Sequence, residues 1–549
     1  MRSTSPIFAL ALLLAACTAD SSPTTVGGPT TVTEPVTTTS GSGTIERTPV
    51  MVSGDQAFPE GFTIPADESW VFDPDVDTTV TVTAKVVVLG ELVMQPASED
   101  VEHALVFEGV DESAFVGGGM DPVASDVGLW VMGDGQLLIE GAEKTAWSYE
   151  YDPAWAEDEV VAAPNTPGNY TDFEPVTATP PVNELGYPTE LLNLTRNVRI
   201  EGTPEGYTHV FIRSAQPQTI RYVALRYMAP TFGEIDQTGR YGLHFHMAGD
   251  GTRGSVVEGV VIRDAGNHAF VPHASHGITF RDTIAYNVLN EAYWWDPAPE
   301  EEDMSNDTID LVWDRAVAAG VDLGVAGNKF RLAGFYLGNG RNMTISNSVA
   351  VGVLGVEGSQ RSGFIWPEDA GAVWVFQDNI AHNNETNGIF VWQNNTENHP
   401  VDGFTAYYNA AAGVEHGAYE NSYQYNGLTL LENGLAVVSH ALGDDSEGAD
   451  TQIWTDVVTN GGTLLIDEHA TAPEVPVRFL NCDFEQVIVA DGEGSEPSEY
   501  DFVNCGLDPA DFDLSVALGS SVFRVQNEDG TAYQLEGDGT VSEIAPFYD

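Results

Sequence analysis

The sequence predicts an all-β chain whose greater part winds into a right-handed parallel β-helix, a pectin-lyase-like solenoid. Three observations carry this. Short segments that alternate apolar and polar residues, the pattern of a strand with one buried face, follow one another at 197–200, 219–227, 256–264, 277–286, 342–351, 373–382, 403–409 and 426–435, many ending in Asn or Gly. A spacing of 23 residues recurs: Asn267-His268-Ala269-Phe270 returns as Asn290-Glu291-Ala292-Tyr293, and Phe479-Leu480-Asn481-Cys482 returns as Phe502-Val503-Asn504-Cys505. No long amphipathic helix is visible, so a repeat of this length that is β throughout indicates a solenoid.

Taken from the N-terminus, the first element is an address. Met1-Arg2-Ser3 precedes an apolar run at 7–14, too short to span a bilayer and laid out as a secretory signal. Leu14-Ala15-Ala16-Cys17 resembles a bacterial lipobox, which implies lipidation of Cys17 and an exported protein held at the bacterial cell surface or outer face of a membrane. The signal is assigned to 1–17. Residues 18–47 run through Thr, Ser, Pro and Gly and read as a flexible tether.

Strand-like runs without a clean register over 48–145 are expected to form a separate β domain. Residues 146–190, rich in Pro, Asp and Glu, are expected to be a surface excursion, and 297–310 a second one. The β-helix is assigned to 191–510 and a C-terminal β cap to 511–549. Cys482 and Cys505 are either a disulfide, which an exported location permits, or stacked free thiols.

Composition limits the partners. Against 20 Lys and Arg stand 83 Asp and Glu, a formal net charge of −63. Such a surface repels nucleic acid and anionic lipid and suits salty surroundings, where screening shortens to a few ångströms. A nucleic-acid partner is excluded, and contact with a membrane is left to the lipid anchor.

The candidate site lies in Gly239-Arg240-Tyr241-Gly242-Leu243-His244-Phe245-His246-Met247-Ala248-Gly249-Asp250. Alternation puts His244 and His246 on one strand face. In a solenoid the next rung stacks about 4.8 Å away, which can bring His273 to them. Two functional readings stand beside a structural one. His244, His246, Asp250 and His273 could act as general acid and base on a glycosidic bond. Alternatively His244, His246 and His273 could ligate a divalent cation, zinc or a similar ion, while calcium could bind the carboxylates of the acidic run at 300–307, which otherwise reads as a solvated charge run. The third reading is a ladder of His and Asn that satisfies hydrogen bonds in turns. Arg240 could pin a substrate carboxylate or serve a nearby acid. Trp294 and Trp295, with Asp296, could line a groove, since sugars stack on flat aromatic faces; Tyr293, Trp366, Trp374 and Trp392 offer similar faces.

Arg240-Tyr241 with His244-Phe245-His246 and Gly249-Asp250, the run Tyr293-Trp294-Trp295-Asp296, the stretches at 284–289 and 330–338, Ser362-Gly363-Phe364-Ile365-Trp366 and the stretch at 195–201 resemble the cell-migration-inducing and transmembrane hyaluronidase family. That family joins an eight-glycine (G-eight) domain to a right-handed parallel β-helix. The resemblance, over roughly 49–391, implies a G-eight-like domain at 48–145 and a glycan as substrate. The chain departs from the family in lacking a glycine near Glu68-Ser69-Trp70 and in its acidity, so hyaluronan itself transfers poorly. The expectation is a surface-anchored protein that engages extracellular polysaccharide and depolymerises it as a hydrolase or lyase. The alternative is a non-catalytic carbohydrate-binding surface protein or adhesin.

Overall fold

One turn of the chain shows how the molecule is built. Leu243–Gly249 lies in a first sheet, Val256–Glu258 in a second and Val261–Ala265 in a third; Phe270–Ser275 then returns beside Leu243–Gly249. The next turn repeats this order, and all the pairings are parallel: Val256 opposite Thr279, Val261 opposite Ile284. These are the rungs of a parallel β-helix. In this computed structural model residues 36–40, 43–114, 121–231, 239–294, 308–324, 331–355, 360–366, 373–392, 398–417, 422–441, 452–468, 475–491, 497–515 and 521–548 are described. The three faces are called here the site sheet, the long sheet and the covered sheet. Tyr293 joins the site sheet's two runs by bridging Phe270 on one side and Phe335 on the other.

The repeat of 23 is the length of a rung where it occurs; other rungs are longer, Val312 pairing with Thr344. Phe479 pairs with Phe502 and Leu480 with Val503, and Asn290 Nδ2 donates to the side-chain Oδ1 of Asn267 one rung away at 3.1 Å. Most of the alternating segments, however, are not single strands but span the corner between the long and covered sheets, as Thr279–Arg281 and Ile284–Leu289 do within 277–286; 197–200 and 403–409 hold one strand each, Val198–Glu201 and Thr405–Tyr407. A left-handed residue bends the chain between the two strands: Tyr222, Asp282, Asn347 and Asp378 all have φ near +50°. Asn and Asp tolerate that conformation better than other residues with a Cβ, which is why corners fall on them.

Inside, like side chains stack from rung to rung. Phe270, Tyr293, Phe335 and Phe364 form one column with centroid spacings of 4.8, 4.4 and 4.9 Å. Tyr293, Trp366 and Trp374, expected as candidate sugar platforms, are buried in this core. The interior takes them because a solenoid's apolar residues have no other place to leave water.

Residues 48–140 differ from the expectation of a separate domain. Their strands are the first rungs of the same solenoid: Trp70 pairs in parallel with Leu92, Leu138 with Thr219, Val86 with Leu129 and Leu129 with Val210. All three faces therefore continue across position 145. The register was hard to see because these rungs lack the Asn-marked corners. Upstream, Val36–Ser40 folds back antiparallel on Gly43–Val52, so the end of the expected tether opens the long sheet. Cys17 and the rest of the signal segment lie outside the described residues, as does most of 297–310.

The stretch at 146–190 carries short antiparallel strands, with Val160–Ala162 between Glu174–Pro175 and Leu191–Asn193. It packs Trp147, Val161 and Ala163 onto Val261, Ile284, Val317 and Val349. Glu190 at 3.0 Å from His382 Nε2 fastens it. It closes the outer side of the covered sheet. At the C-terminal end Val522–Gln526 takes an antiparallel partner, Ala532–Glu536, which ends the parallel stacking.

Cys482 and Cys505 occupy equivalent places in adjacent rungs as buried free thiols, not as a disulfide. Each sulfur lies near a main-chain carbonyl, Cys482 Sγ 3.5 Å from Leu480 O and Cys505 Sγ 3.3 Å from Phe479 O.

Candidate functional site

Four neighbouring strands of the site sheet build the site: β1 (Leu129–Gly133), β2 (Val210–Ser214), β3 (Leu243–Gly249) and β4 (Phe270–Ser275). Leu243 and Phe245 point into the core. Alternation therefore turns His244 and His246 to the outer face. Parallel pairing sets His246 opposite His273 and His244 opposite Val271.

The three imidazoles converge. Ring centroids are 5.0 Å apart for His244 and His246, 4.8 Å for His246 and His273, and 6.3 Å for His244 and His273. Each offers a ring nitrogen within 4.8 Å of the other two. Phe211 packs against His244 and His246 at 5.1 and 5.3 Å, and Tyr241 against His244 at 4.9 Å.

The tautomer of His244 is fixed. Its Nδ1 lies 2.8 Å from the Gly239 carbonyl, which can only accept, so Nδ1 carries the hydrogen. Nε2 is left with a lone pair, buried and with no hydrogen-bond partner, and His246 Nδ1 is in the same position. Burial, reinforced by His246, pushes His244 well below the usual imidazole range. Burial with the neighbouring His273 and Arg213 lowers His246 to about 3, and burial lowers His273 to about 4. At neutral pH the cluster is a set of neutral imidazoles. These have no proton to give as general acids, so the acid half of an acid–base pair is not in this cluster.

The backbone is strained beside the cluster. Met247, directly after His246, has φ of 44°, and Ala274, directly after His273, has φ of 42°. The β3–β4 register slips between His246 and Gly249. Non-glycine residues in this region cost on the order of 1 kcal/mol or more each and gather at functional sites.

The other expected residues fall elsewhere. Arg240 does not face a substrate: it is 1% exposed. It holds Asp126 through Nε at 3.1 Å and Nη2 at 3.0 Å and lies over Trp130. It anchors the wall behind the cluster. Asp250 turns away into solvent, its side chain 77% exposed, and pairs with Arg253 at 2.8 Å. Trp294 is buried, stacked on His268 at 4.0 Å. Trp295 and Asp296 lie outside the described residues. Trp392 remains partly exposed, against Phe390 at 5.7 Å.

Arg213 was not foreseen. It sits on β2, its side chain 42% exposed, close enough to His246 to lower that residue's pKa. Asp121, at 3.9 Å, is a loose partner. Only the register of β2 against β3 brings Arg213 here, and nothing local in the sequence signals it.

The donor set selects among cations. Three imidazole nitrogens suit zinc and its first-row neighbours, whereas calcium takes oxygen ligands, so calcium does not fit this cluster.

Residues 207–396, which contain the cluster, match the family model described as the CEMIP beta-helix. An 80-residue stretch is 32% identical to the cell migration-inducing and hyaluronan-binding protein of Homo sapiens, covering 14% of this chain and 6% of that protein's length. Among solved structures, the chain is similar to the A-module of the Azotobacter vinelandii mannuronan C-5 epimerase AlgE6, with 11% identity, 81% and 83% of the two chains covered, and a TM-score of 0.24. The receptor-binding domain of the siphovirus 9NA tailspike aligns at 10% identity over 90% and 94%, with a TM-score of 0.21. The rung-to-rung parallel pairings make the fold that of a parallel β-helix protein. Its middle portion, where the three histidines meet, is similar to the CEMIP β-helix.

Proposed function

We propose that this chain engages extracellular polysaccharide on the outer face of the site sheet and cleaves it at the histidine cluster. The observation that carries the reading is the meeting of His244, His246 and His273 on an outer face, beside strained backbone, inside the stretch that matches the CEMIP beta-helix. The name of the human relative describes it as hyaluronan-binding, which supports a glycan as the partner here. Arg213 is placed to attract a carboxylate on the polymer. Neutral imidazoles can accept a proton or donate a lone pair; a proton donor for the leaving oxygen must come from water or from outside the cluster. Lipidation at Cys17 would hold the protein at the cell surface, where such polymers are met.

The test is incubation of the chain from Thr18 onward with neutral and uronate-bearing polysaccharides, following polymer length. Shortening of at least one polymer is expected, and an ultraviolet-absorbing product identifies a lyase. Retention of a polymer without shortening would replace this reading with a binding protein.

A further inference from the structure

We propose that His244, His246 and His273 form a three-imidazole site for one divalent first-row transition ion of the zinc type. The proposal deepens the functional reading by naming the cofactor of that same site, and it rests on that site being the functional one. Three independent features carry it.

The first is convergence. Three ring nitrogens, supplied by two adjacent rungs, lie within 4.8 Å of one another. An ion about 2.1 Å from each nitrogen in a tetrahedral arrangement needs them about 3.4 Å apart. Binding would draw the ring nitrogens together by roughly an ångström.

The second is preparation of the ligand atoms. Gly239 fixes the hydrogen of His244 on Nδ1, the arrangement by which ligand histidines are oriented through their second nitrogen. The buried His244 Nε2 and His246 Nδ1 meet no hydrogen-bond partner. Leaving such atoms unsatisfied costs on the order of 1–3 kcal/mol each. A ligated ion removes that cost.

The third is access. His244 and His246 are buried while His273 is partly exposed, so solvent reaches the cluster at His273. A site with three protein ligands and an open position is of the catalytic rather than the structural kind. An ion there would lower the pKa of a bound water or polarise a sugar oxygen.

The rest of the molecule offers weaker candidates. The Glu415, His440 and Asp467 group uses both nitrogens of its one imidazole on carboxylates and does not converge. The cavity beside Cys482 and Cys505 has thiols that already lie against main-chain carbonyls.

The experiment uses the soluble full chain, stripped with chelator and dialysed at about 0.5 M salt so that exposed carboxylates are screened. Zn²⁺ is titrated calorimetrically with Ca²⁺ in excess, and Co²⁺ is followed by its visible absorption. One Zn²⁺ per chain is expected, undisturbed by Ca²⁺, with a Co²⁺ band characteristic of low coordination number. His246→Gln and His273→Gln should each weaken binding on the order of 100-fold with the thermal midpoint little changed, and His416→Gln, a buried control elsewhere, should leave it alone. Equal Zn²⁺ binding by wild type and both variants, or displacement by Ca²⁺, would overturn the proposal. The titrations contain no glycan, so the two readings fail separately: absent Zn²⁺ binding counts against the metal site whatever polymer length shows, and Zn²⁺ bound with no polymer shortened in the separate cleavage assay counts against the cleavage reading alone.

Discussion

His246 and His273 stand opposite one another in adjacent rungs, with ring centroids 4.8 Å apart. Nothing about the solenoid requires this. Beside them on the same outer face, Phe211 and Val271 stand in the two neighbouring positions opposite His244, and both pack. Two imidazoles meeting edge to face where apolar residues would serve equally well for stability set this pair apart from the ladder that surrounds it.

From that arrangement, His246→Ala and His273→Ala should each abolish most polymer cleavage while shifting the thermal midpoint by only a few degrees. Both side chains sit on the outside of the sheet and neither fills the core. Rates and calorimetric melts measured together check this. A loss of activity that merely follows unfolding would assign the pair to structure.

Arg240 leads to the opposite expectation. Its guanidinium offsets the buried Asp126 carboxylate. Arg240→Met should therefore cost roughly 3–5 kcal/mol in urea unfolding, since it leaves one charge of a buried pair alone. Arg240→Met with Asp126→Asn should recover part of that loss. Arg213→Ala, by contrast, should leave stability unchanged and weaken retention of uronate polymers more than neutral ones.

Stability should fall on the alkaline side because of His440. Burial opposes its protonation, but hydrogen bonds to Asp467 and Glu415 prevail and raise it to about 9. A group with a raised folded pKa contributes fully below its unfolded value near 6.5, and the contribution is lost as pH climbs through about 9. At about 1.4 kcal/mol per pKa unit this amounts to a few kcal/mol at most. Urea unfolding from pH 6 to 10 should show the decline, and His440→Gln should flatten it.

Acid acts through the other histidines. Burial lowers His268 and His416 to about 3 and His399 to about 4. Each binds a proton in the unfolded chain near pH 6.5 but not in the folded one, so stability falls as pH drops from 6.5 toward 4. His416→Gln should reduce the slope of unfolding free energy over that interval.

Both cysteines are buried as thiols. Ellman's reagent should find no reactive thiol in the native soluble chain and two after unfolding, and the mass should not change on reduction.

How far the sequence could be read depended on whether a signal was local. The rung length shows in the matched Asn267 and Asn290, which hydrogen-bond directly. The parallel β-helix followed from such repeats. The histidine pair on β3 was legible because alternation is a property of three consecutive residues. The partner of Arg240 was not, because Asp126 lies 114 positions away. Alternation leaves one of Trp294 and Trp295 to face outward without saying which; Trp294 is the one turned under His268, a choice made by tertiary packing. The first rungs do not announce themselves in the sequence because their corners carry no repeated Asn, although their strands pair in parallel with those that follow.

The measurement that tests the account most directly is the chain length of a uronate-bearing polysaccharide after incubation with the wild-type protein and with the His246→Ala, His273→Ala double variant at equal folded concentration. Shortening by the wild type and none by the double variant is the predicted result. Equal shortening by both would contradict the assignment of this cluster as the place where the protein acts.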